Sequence, residues 1–172
     1  MAASDNTCFL VYIGSQNKER YAKISPQDAE LVLRYRWSVA SNTKYGGRVY
    51  YAKTETGPRN NRTRIKMHRL IMNAPEGMHV DHINGDGLDN RRENLRIVTP
   101  QLNQANSRKH VAGKSSFKGV SWHHRANKWR AYICINRGQK HIGLFDDELE
   151  AAKAYDAVAK STWGEHAYLN LS

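Results

Sequence analysis

Val80-Asp81-His82-Ile83-Asn84-Gly85-Asp86-Gly87-Leu88-Asp89-Asn90 is the stretch on which the reading of this chain turns. Met78 to His82 has the composition of a short strand, and the Gly, Asp and Asn residues of Asn84 to Asn90 that of a tight loop. Leu95 to Val98 predicts a second strand. Thr99-Pro100-Gln101 then places an N-cap before a proline at the first helical position, opening a helix to about Arg108. The order is strand, loop, strand, helix. Along it Asn94 follows His82 by twelve residues and Asn103 follows Asn94 by nine. Taken as residues alone, Asp81-His82 before Asn-Gly-Asp-Gly is equally a polar turn in which Asp81 caps backbone amides. Neighbours on a regular strand point to opposite faces, so the two share a site only if the chain twists out of β geometry. An EF-hand is excluded, because no Asp/Asn ladder reaches a glycine and a closing glutamate at the required places.

Working outward, the 172 residues hold 27 Lys and Arg against 16 Asp and Glu, a formal net charge of +11 with histidine neutral. At 40% hydrophobic and 25% charged the composition is globular, which excludes wholesale disorder and allows one medium or two small domains. The longest apolar run, Cys8 to Ile13, is too short for a membrane-spanning helix. The chain opens on no basic-then-apolar leader, and Cys8 and Cys134 form neither a zinc knuckle nor a disulfide framework. The expectation is a protein that is not exported and works in a reducing cytoplasm. The charge is segregated: eight basic residues and one acid, Glu55, lie between Lys44 and Met72. Seven basic residues and no acid lie between Lys114 and Phe145, and six acids against two lysines follow from Asp146. That distribution favours a nucleic-acid face over a merely solvated basic surface.

The N-terminal part predicts strands at Cys8 to Ile13 and Tyr21 to Ile24, then a helix capped by Ser25 with Pro26 at its first position. Ala29, Leu31, Val32 and Tyr35 form its apolar stripe. Arg48 to Lys53 and Arg64 to Met72 predict two further strands flanking a basic loop. Val111 to Ser116 has linker composition. Beyond it Phe117 to Val120, Lys128 to Ile135 and Lys140 to Phe145 predict three strands. In the middle one Trp129, Ala131, Ile133 and Ile135 alternate with Arg130, Tyr132, Cys134 and Asn136, so one face packs and the other is available. Asp146 or Asp147 caps a helix through Trp163 that presents Leu149, Ala152, Tyr155 and Ala159, with Gly164 as its stop.

Asp81-His82, Asn94-Leu95-Arg96 and Asn103-Gln104-Ala105-Asn106, with Asp86-Gly87-Leu88-Asp89-Asn90 in the loop, resemble the HNH nucleases of the ββα-metal fold. Met67-His68-Arg69-Leu70-Ile71 is similar to the stretch preceding that motif in phage and intron-encoded members, and Tyr21 to Trp37 resembles their N-terminal region. The resemblance implies phosphodiester hydrolysis, which needs a base to deprotonate water and a cation to hold the charge that builds on phosphorus and the leaving oxygen. By this resemblance His82 is the base, Asp81 and Asn103 are metal ligands, and Asn94 orients the imidazole. The hard oxygens of Asp81 and Asn103 imply one divalent cation, Mg²⁺ or Mn²⁺, and no zinc. Asn103 stands where the family name has a second histidine, a variant of homing-type members that bears on metal choice more than on activity. His68 is either near the active site or a packed strand histidine. Asn106, one helical turn after Asn103, either binds phosphate or solvates the helix.

Phe117-Lys118-Gly119-Val120, Trp129-Arg130-Ala131-Tyr132-Ile133, Ile142-Gly143-Leu144-Phe145 and Ala154-Tyr155-Asp156-Ala157 resemble the Apetala/ethylene-response-factor DNA-binding domain. In that family three antiparallel strands enter the major groove with a helix packed behind. The resemblance implies DNA contacts from Lys118, Ser121, His123, Arg125, Lys128, Arg130, Tyr132, Lys140 and His141. Several of the family's arginines are replaced here, so the base sequence read does not transfer.

Together these readings give an α+β chain. Residues 1–110 are the expected nuclease domain, 111–116 a linker, and 117–172 a three-stranded antiparallel sheet packed on one helix. The expected function is a site-directed, homing-type DNA endonuclease, phage or intron associated, acting on double-stranded DNA in the cytoplasm, that of a bacterial host cell if it is phage-encoded. A monomer is expected to nick, and a double-strand break would need a dimer or sequential action. The competing reading is a non-enzymatic DNA-binding regulator on an inactive nuclease scaffold.

Overall fold

The computed structural model describes residues 8–14, 19–42, 49–107, 114–136 and 138–171. Described residues up to Val98 form one compact unit, and those from Thr99 onward a second. The sequence boundary falls later, beyond the helix that ends the motif, so that helix belongs to the second unit. Val111 to Gly113 of the expected linker lie outside the described residues.

In the first unit β1 (Phe9–Tyr12) and β2 (Tyr21–Ile24) pair antiparallel. Ala22 and Ile24 point to one side of β2 and are fully buried, as strand alternation requires. Pro26–Asp28 is a 3-10 turn leading into α1 (Ala29–Leu33). The expected cap at Ser25 does not form. Its hydroxyl instead accepts a bond from the Arg92 amide at 2.9 Å, and the buried Asp28 carboxylate receives the Arg92 guanidinium at 2.7–3.0 Å. These residues fasten the far end of the motif loop to the start of α1.

The next sheet has the order β3 (Ser38–Asn42), β4 (Val49–Thr56), β5 (Thr63–Lys66), all antiparallel. No strand is legible at Ser38–Asn42, whose polar sequence carries no alternating apolar signal. It is held by its register with β4. Arg64 to Met72, expected as one strand, changes at Lys66 into α2 (Met67–Met72), which closes on Asn73 in a left-handed conformation (φ 45°). The reason is packing, since Met67 and Ile71, four apart, both reach the core and a strand would separate them. Met67, Ile24 and Val32 are fully buried there with Ile13 and Ala22, each larger side chain contributing about 1.5–3 kcal/mol.

The motif hairpin is β6 (His79–His82) against β8 (Leu95–Val98), antiparallel, with Asp81 opposite Arg96 and His82 opposite Leu95. Between them β7 (Asp89–Asn90) pairs parallel with β2, which anchors the loop to the first sheet.

The second unit opens with α3 (Pro100–Asn106), capped as expected by the Thr99 hydroxyl on the Leu102 amide. A three-stranded antiparallel sheet follows, ordered β11 (Gly138–Phe145), β10 (Lys128–Ile135), β9 (Val120–His123). The first strand starts later than expected because Lys118-Gly119 is a turn. Gly119 has φ +72°, and a Cβ there would lie 2.1 Å from the Tyr155 ring, so the position takes only glycine. α4 (Glu148–Trp163) is capped by Asp147 on the Glu150 amide and stopped by Gly164. It lays Ala151, Ala152, Tyr155 and Ala159 on the sheet, while Leu149, expected in that stripe, is exposed. No helix among the described residues is long and apolar enough to cross a membrane.

Candidate active site and candidate DNA-binding face

The loop after β6 is built by its own polar side chains. The Asn94 carbonyl receives the Ile83 amide at 2.9 Å, and Gly85 turns the chain at φ 74°. The Asn84 side-chain oxygen accepts the Asp86 amide, and the Asp86 carboxylate accepts the Leu88 amide. Arg91 grips the Asp89 carboxylate with two bonds of 2.8 Å, and its Nε and Nη2 hold that carboxyl below its ordinary pKa. The Asn94 side chain lies inside this loop. Its Oδ1 accepts the Asn84 amide, and its Nδ2 donates to Asn84 Oδ1 and to the Asp89 carbonyl at 2.8 Å. Asn94 therefore holds the two ends of the loop together.

The imidazole of His82 is met by a different asparagine. His82 Nε2 lies 3.2 Å from Oδ1 of Asn90, a fully buried residue of β7. The Asn90 amide nitrogen donates to the Leu88 carbonyl, so its oxygen faces the ring. An oxygen can only accept, which puts the imidazole proton on Nε2 and the basic lone pair on Nδ1. Burial pushes the His82 pKa below its ordinary value, which keeps the ring neutral. Asn90 belongs to the motif loop, but its residue type alone assigns it no role. The signal that could have found it is its place on the strand that anchors the loop.

Asp81 stays in β geometry beside His82, and its charge reaches both His82 and Tyr51. Arg96, its cross-strand partner, donates Nε to Asp81 Oδ2 at 2.9 Å, with Nη2 at the same distance from that oxygen. The hairpin register alone pairs these two residues. Around His82 stand two more rings: His68 of α2, edge-on with centroids 5.0 Å apart, and Tyr51 of β4 at 5.9 Å. Tyr51 and His68 are 5.6 Å apart, so the three rings form one cluster. His68 is 5% exposed and sits on a helix rather than a strand. Burial drives its pKa down to about 3, and its Nδ1 has no hydrogen-bond partner. Burial raises the Tyr51 pKa, and the Asp81 charge adds to it. Gly87 permits this arrangement, since a Cβ there would meet the Tyr50 carbonyl at 2.4 Å and the Tyr51 ring at 2.7 Å.

Asn103 and Asn106 lie on α3 in the second unit. Among the described residues no group of three or more His, Cys, Asp or Glu side chains is placed to hold a metal ion.

In the second unit the sheet face turned away from α4 carries Lys128, Arg130 and Tyr132. The register sets His123 opposite Lys128, Ser121 opposite Arg130, and His141 opposite Tyr132. Arg130 lies 5.0 Å from the Tyr132 ring, and its Nε and the Ser121 hydroxyl are buried without hydrogen-bond partners. Arg125 is exposed in the turn before Lys128. Lys140 is in register with Ile133, a core residue, and so falls on the helix side. Lys118 is also set apart. Its Nζ donates to the carbonyls of Gln104, Ala105 and Ser107 at 2.6–3.1 Å, closing the end of α3, and burial draws its pKa down to about 8.

Geometry by itself defines a polar loop, a buried histidine and a basic sheet; likeness to known proteins defines the class. Residues 67–105 match the family model described as HNH endonuclease. The chain is 27% identical over 172 residues to an uncharacterised HNH endonuclease of Acanthamoeba polyphaga mimivirus, covering 96% of this chain and 82% of that one. It is 33% identical over 93 residues to protein 3.8 of Escherichia phage T7, covering 54% of this chain and 76% of the phage protein. The chain belongs to the HNH endonuclease family. Over 61 residues it is also 43% identical to APETALA2-like protein 2 of rice, covering 34% of this chain and 14% of the plant protein. No solved structure matches.

Proposed function

We propose that this protein is a homing-type DNA endonuclease in which His82 deprotonates the attacking water and the β9–β11 sheet holds the DNA. The observation that carries the reading is the bond between His82 and Asn90, which leaves a neutral imidazole with its lone pair on Nδ1. A neutral histidine held in one tautomer can take a proton from water at neutral pH. The half-buried Tyr51 and buried His68 rings limit water around it and hold its plane.

The donor chemistry fits a hard divalent cation, Mg²⁺ or Mn²⁺. Asp81 would offer such a cation an anionic oxygen. Water and phosphate oxygens are further hard donors that such a cation takes. When bound, the cation supplies the charge that stabilises the developing phosphorane and leaving oxygen. Arg96 fixes the direction of the Asp81 carboxylate. Asn94 holds the loop shut, and thereby sets the distance between β6 and β7 across which Asn90 reaches His82.

The proposed DNA-reading set is Ser121, His123, Arg125, Lys128, Arg130, Tyr132 and His141, with Lys118 and Lys140 outside it. The protein is proposed to nick as a monomer, because one such site serves one strand. The test is incubation of supercoiled plasmid with purified protein in Mg²⁺ or Mn²⁺, with EDTA and His82→Ala as controls. Nicking lost in both controls supports the reading. Salt-sensitive binding to a genomic library without any cutting would replace it with a DNA-binding regulator.

A further inference from the structure

The strand pair β4–β5 places its charges with a bias that the motif does not explain. Along β4, Tyr51, Lys53 and Glu55 share one face, while Ala52 and Thr54 on the other are buried. The register adds Lys66 opposite Lys53 and Arg64 opposite Glu55, so all five side chains line one face of a two-stranded ribbon. Two lysines directly opposite each other repel and weaken the pairing of the strands that carry them. Glu55 is the acid among them, and Lys53, Arg62 and Arg64 all crowd onto it at 3.1–3.7 Å. One carboxylate thus faces three cations, and Lys66 extends toward the Tyr51 ring, its Nζ 5.6 Å from the centroid. That ring stands 5.9 Å from His82. The row therefore begins at the imidazole and runs outward as Tyr51, Lys53 with Lys66, Glu55 with Arg64, then Arg62. Same-face positions on a strand are about 6.7 Å apart, of the same order as neighbouring phosphates along a nucleic-acid strand.

We infer that the β4–β5 ribbon is a second DNA-binding element, a track that holds the phosphodiester backbone of the strand being cut on the approach to His82. The like-charged cross-strand pair is costly in the free protein, and an incoming row of phosphates relieves that repulsion and takes up cations that Glu55 now holds in place. Arg64 and Arg62 are 63% and 53% exposed, so their guanidinium groups are open to solvent and to a polyanion. The inference rests on the reading of His82 as the base at the scissile phosphate, but the binding it asserts does not need cutting.

The test is equilibrium binding of the full-length protein to a fluorescent DNA duplex in EDTA, over a series of salt concentrations. The combined variant Arg62→Gln, Arg64→Gln, Lys66→Gln is expected to flatten the dependence of log K on log salt by about 0.9 for each phosphate no longer neutralised. Glu55→Gln is expected to tighten binding severalfold. Glu30→Gln, which removes an exposed acid on α1 paired with Arg34, is the control for charge at a distance. An unchanged slope in the triple variant overturns the inference, and so does a Glu55→Gln gain no larger than that of Glu30→Gln. The Glu55 comparison stands even if the triple variant folds poorly. Wild-type protein that binds with the expected slopes yet never nicks overturns the nuclease reading alone.

Discussion

Asn90 Oδ1 accepts the Nε2 proton of His82 at 3.2 Å, and the Asn90 amide nitrogen is committed to the Leu88 carbonyl. Because the amide cannot turn round without losing that bond, it selects one tautomer of the ring. Loss of a residue that orients an active imidazole typically costs about 10–100-fold. Asn90→Ala is therefore expected to lower kcat for plasmid nicking by about that factor with DNA affinity unchanged, and Asn90→Asp, which keeps an acceptor, to lose less. The ¹⁵N chemical shifts of the His82 ring give an independent readout. The wild type should carry its proton on Nε2, and Asn90→Ala should show a mixture. A single Nε2 tautomer in both proteins would take the orienting role away from Asn90.

His68 makes stability depend on pH in a defined direction. Its pKa is about 3 in the folded protein against 6.5 for the free side chain, because burial disfavours the imidazolium. The unfolded chain therefore binds a proton that the folded one refuses. The contribution is intact above pH 6.5 and is lost as pH falls through the window toward 3, by about 1.4 kcal/mol per pH unit for one proton. Urea denaturation of wild type and His68→Phe between pH 7.5 and 4.5 checks this. The wild-type slope should exceed the variant's by close to one proton, and equal slopes would show that His68 is protonated in the folded state.

Some elements announce themselves locally and others do not. The hairpin β6–β8 and the start of α3 are legible in the sequence because turn residues and caps mark their ends: Asn84 to Asn90, then Thr99-Pro100. β10 is legible by alternation. β3 is not, because Ser38–Asn42 is a strand only through its pairing with β4, which no local pattern records. α2 reads as strand because its six residues are too few to display a helical period, and the choice falls to core packing of Met67 and Ile71. In the site, His82 and Asp81 carry their chemistry in their identity. The partner of His82 does not, since Asn90 and Asn94 are the same residue type. Only the parallel pairing of β7 with β2 decides which of them reaches the ring.

Gly119 provides a sharper test of the second unit than any large-to-small change. Alanine there must hold φ near +72°, and its Cβ would lie 2.1 Å from the Tyr155 ring and 2.5 Å from the Tyr132 carbonyl. The left-handed backbone costs roughly 1–2 kcal/mol, and forcing a methyl into a packed site about 1–3 kcal/mol more. Gly119→Ala is expected to lower the urea midpoint for loss of the α4 helical signal by an amount matching that sum. Gly77→Ala, also at positive φ (79°) but with open space around its Cβ, is the matched control and should cost only the backbone part. Equal losses at the two positions would mean that Tyr155 moves aside at no cost.

Lys118 separates a structural lysine from a DNA-binding one. Its ammonium is 2.6 Å from the Ala105 carbonyl, with Gln104 and Ser107 completing the set, so it draws together the carbonyls at the end of α3. Its backbone is held in turn by Asn170, which accepts the Lys118 amide at 2.7 Å and is itself bonded to Asp156 on α4. An ammonium held this way is not presented to a phosphate. Lys118→Met is therefore expected to destabilise the protein by about 1–3 kcal/mol while leaving the salt dependence of DNA binding where it was. Arg130→Gln, on the opposite face of the sheet from α4, is expected to do the reverse, reducing the salt slope by about 0.9 with little loss of stability. Denaturation and salt-series binding on both variants decide the matter. A slope that falls in Lys118→Met would mean that Lys118 leaves α3 when DNA arrives and contacts the backbone itself.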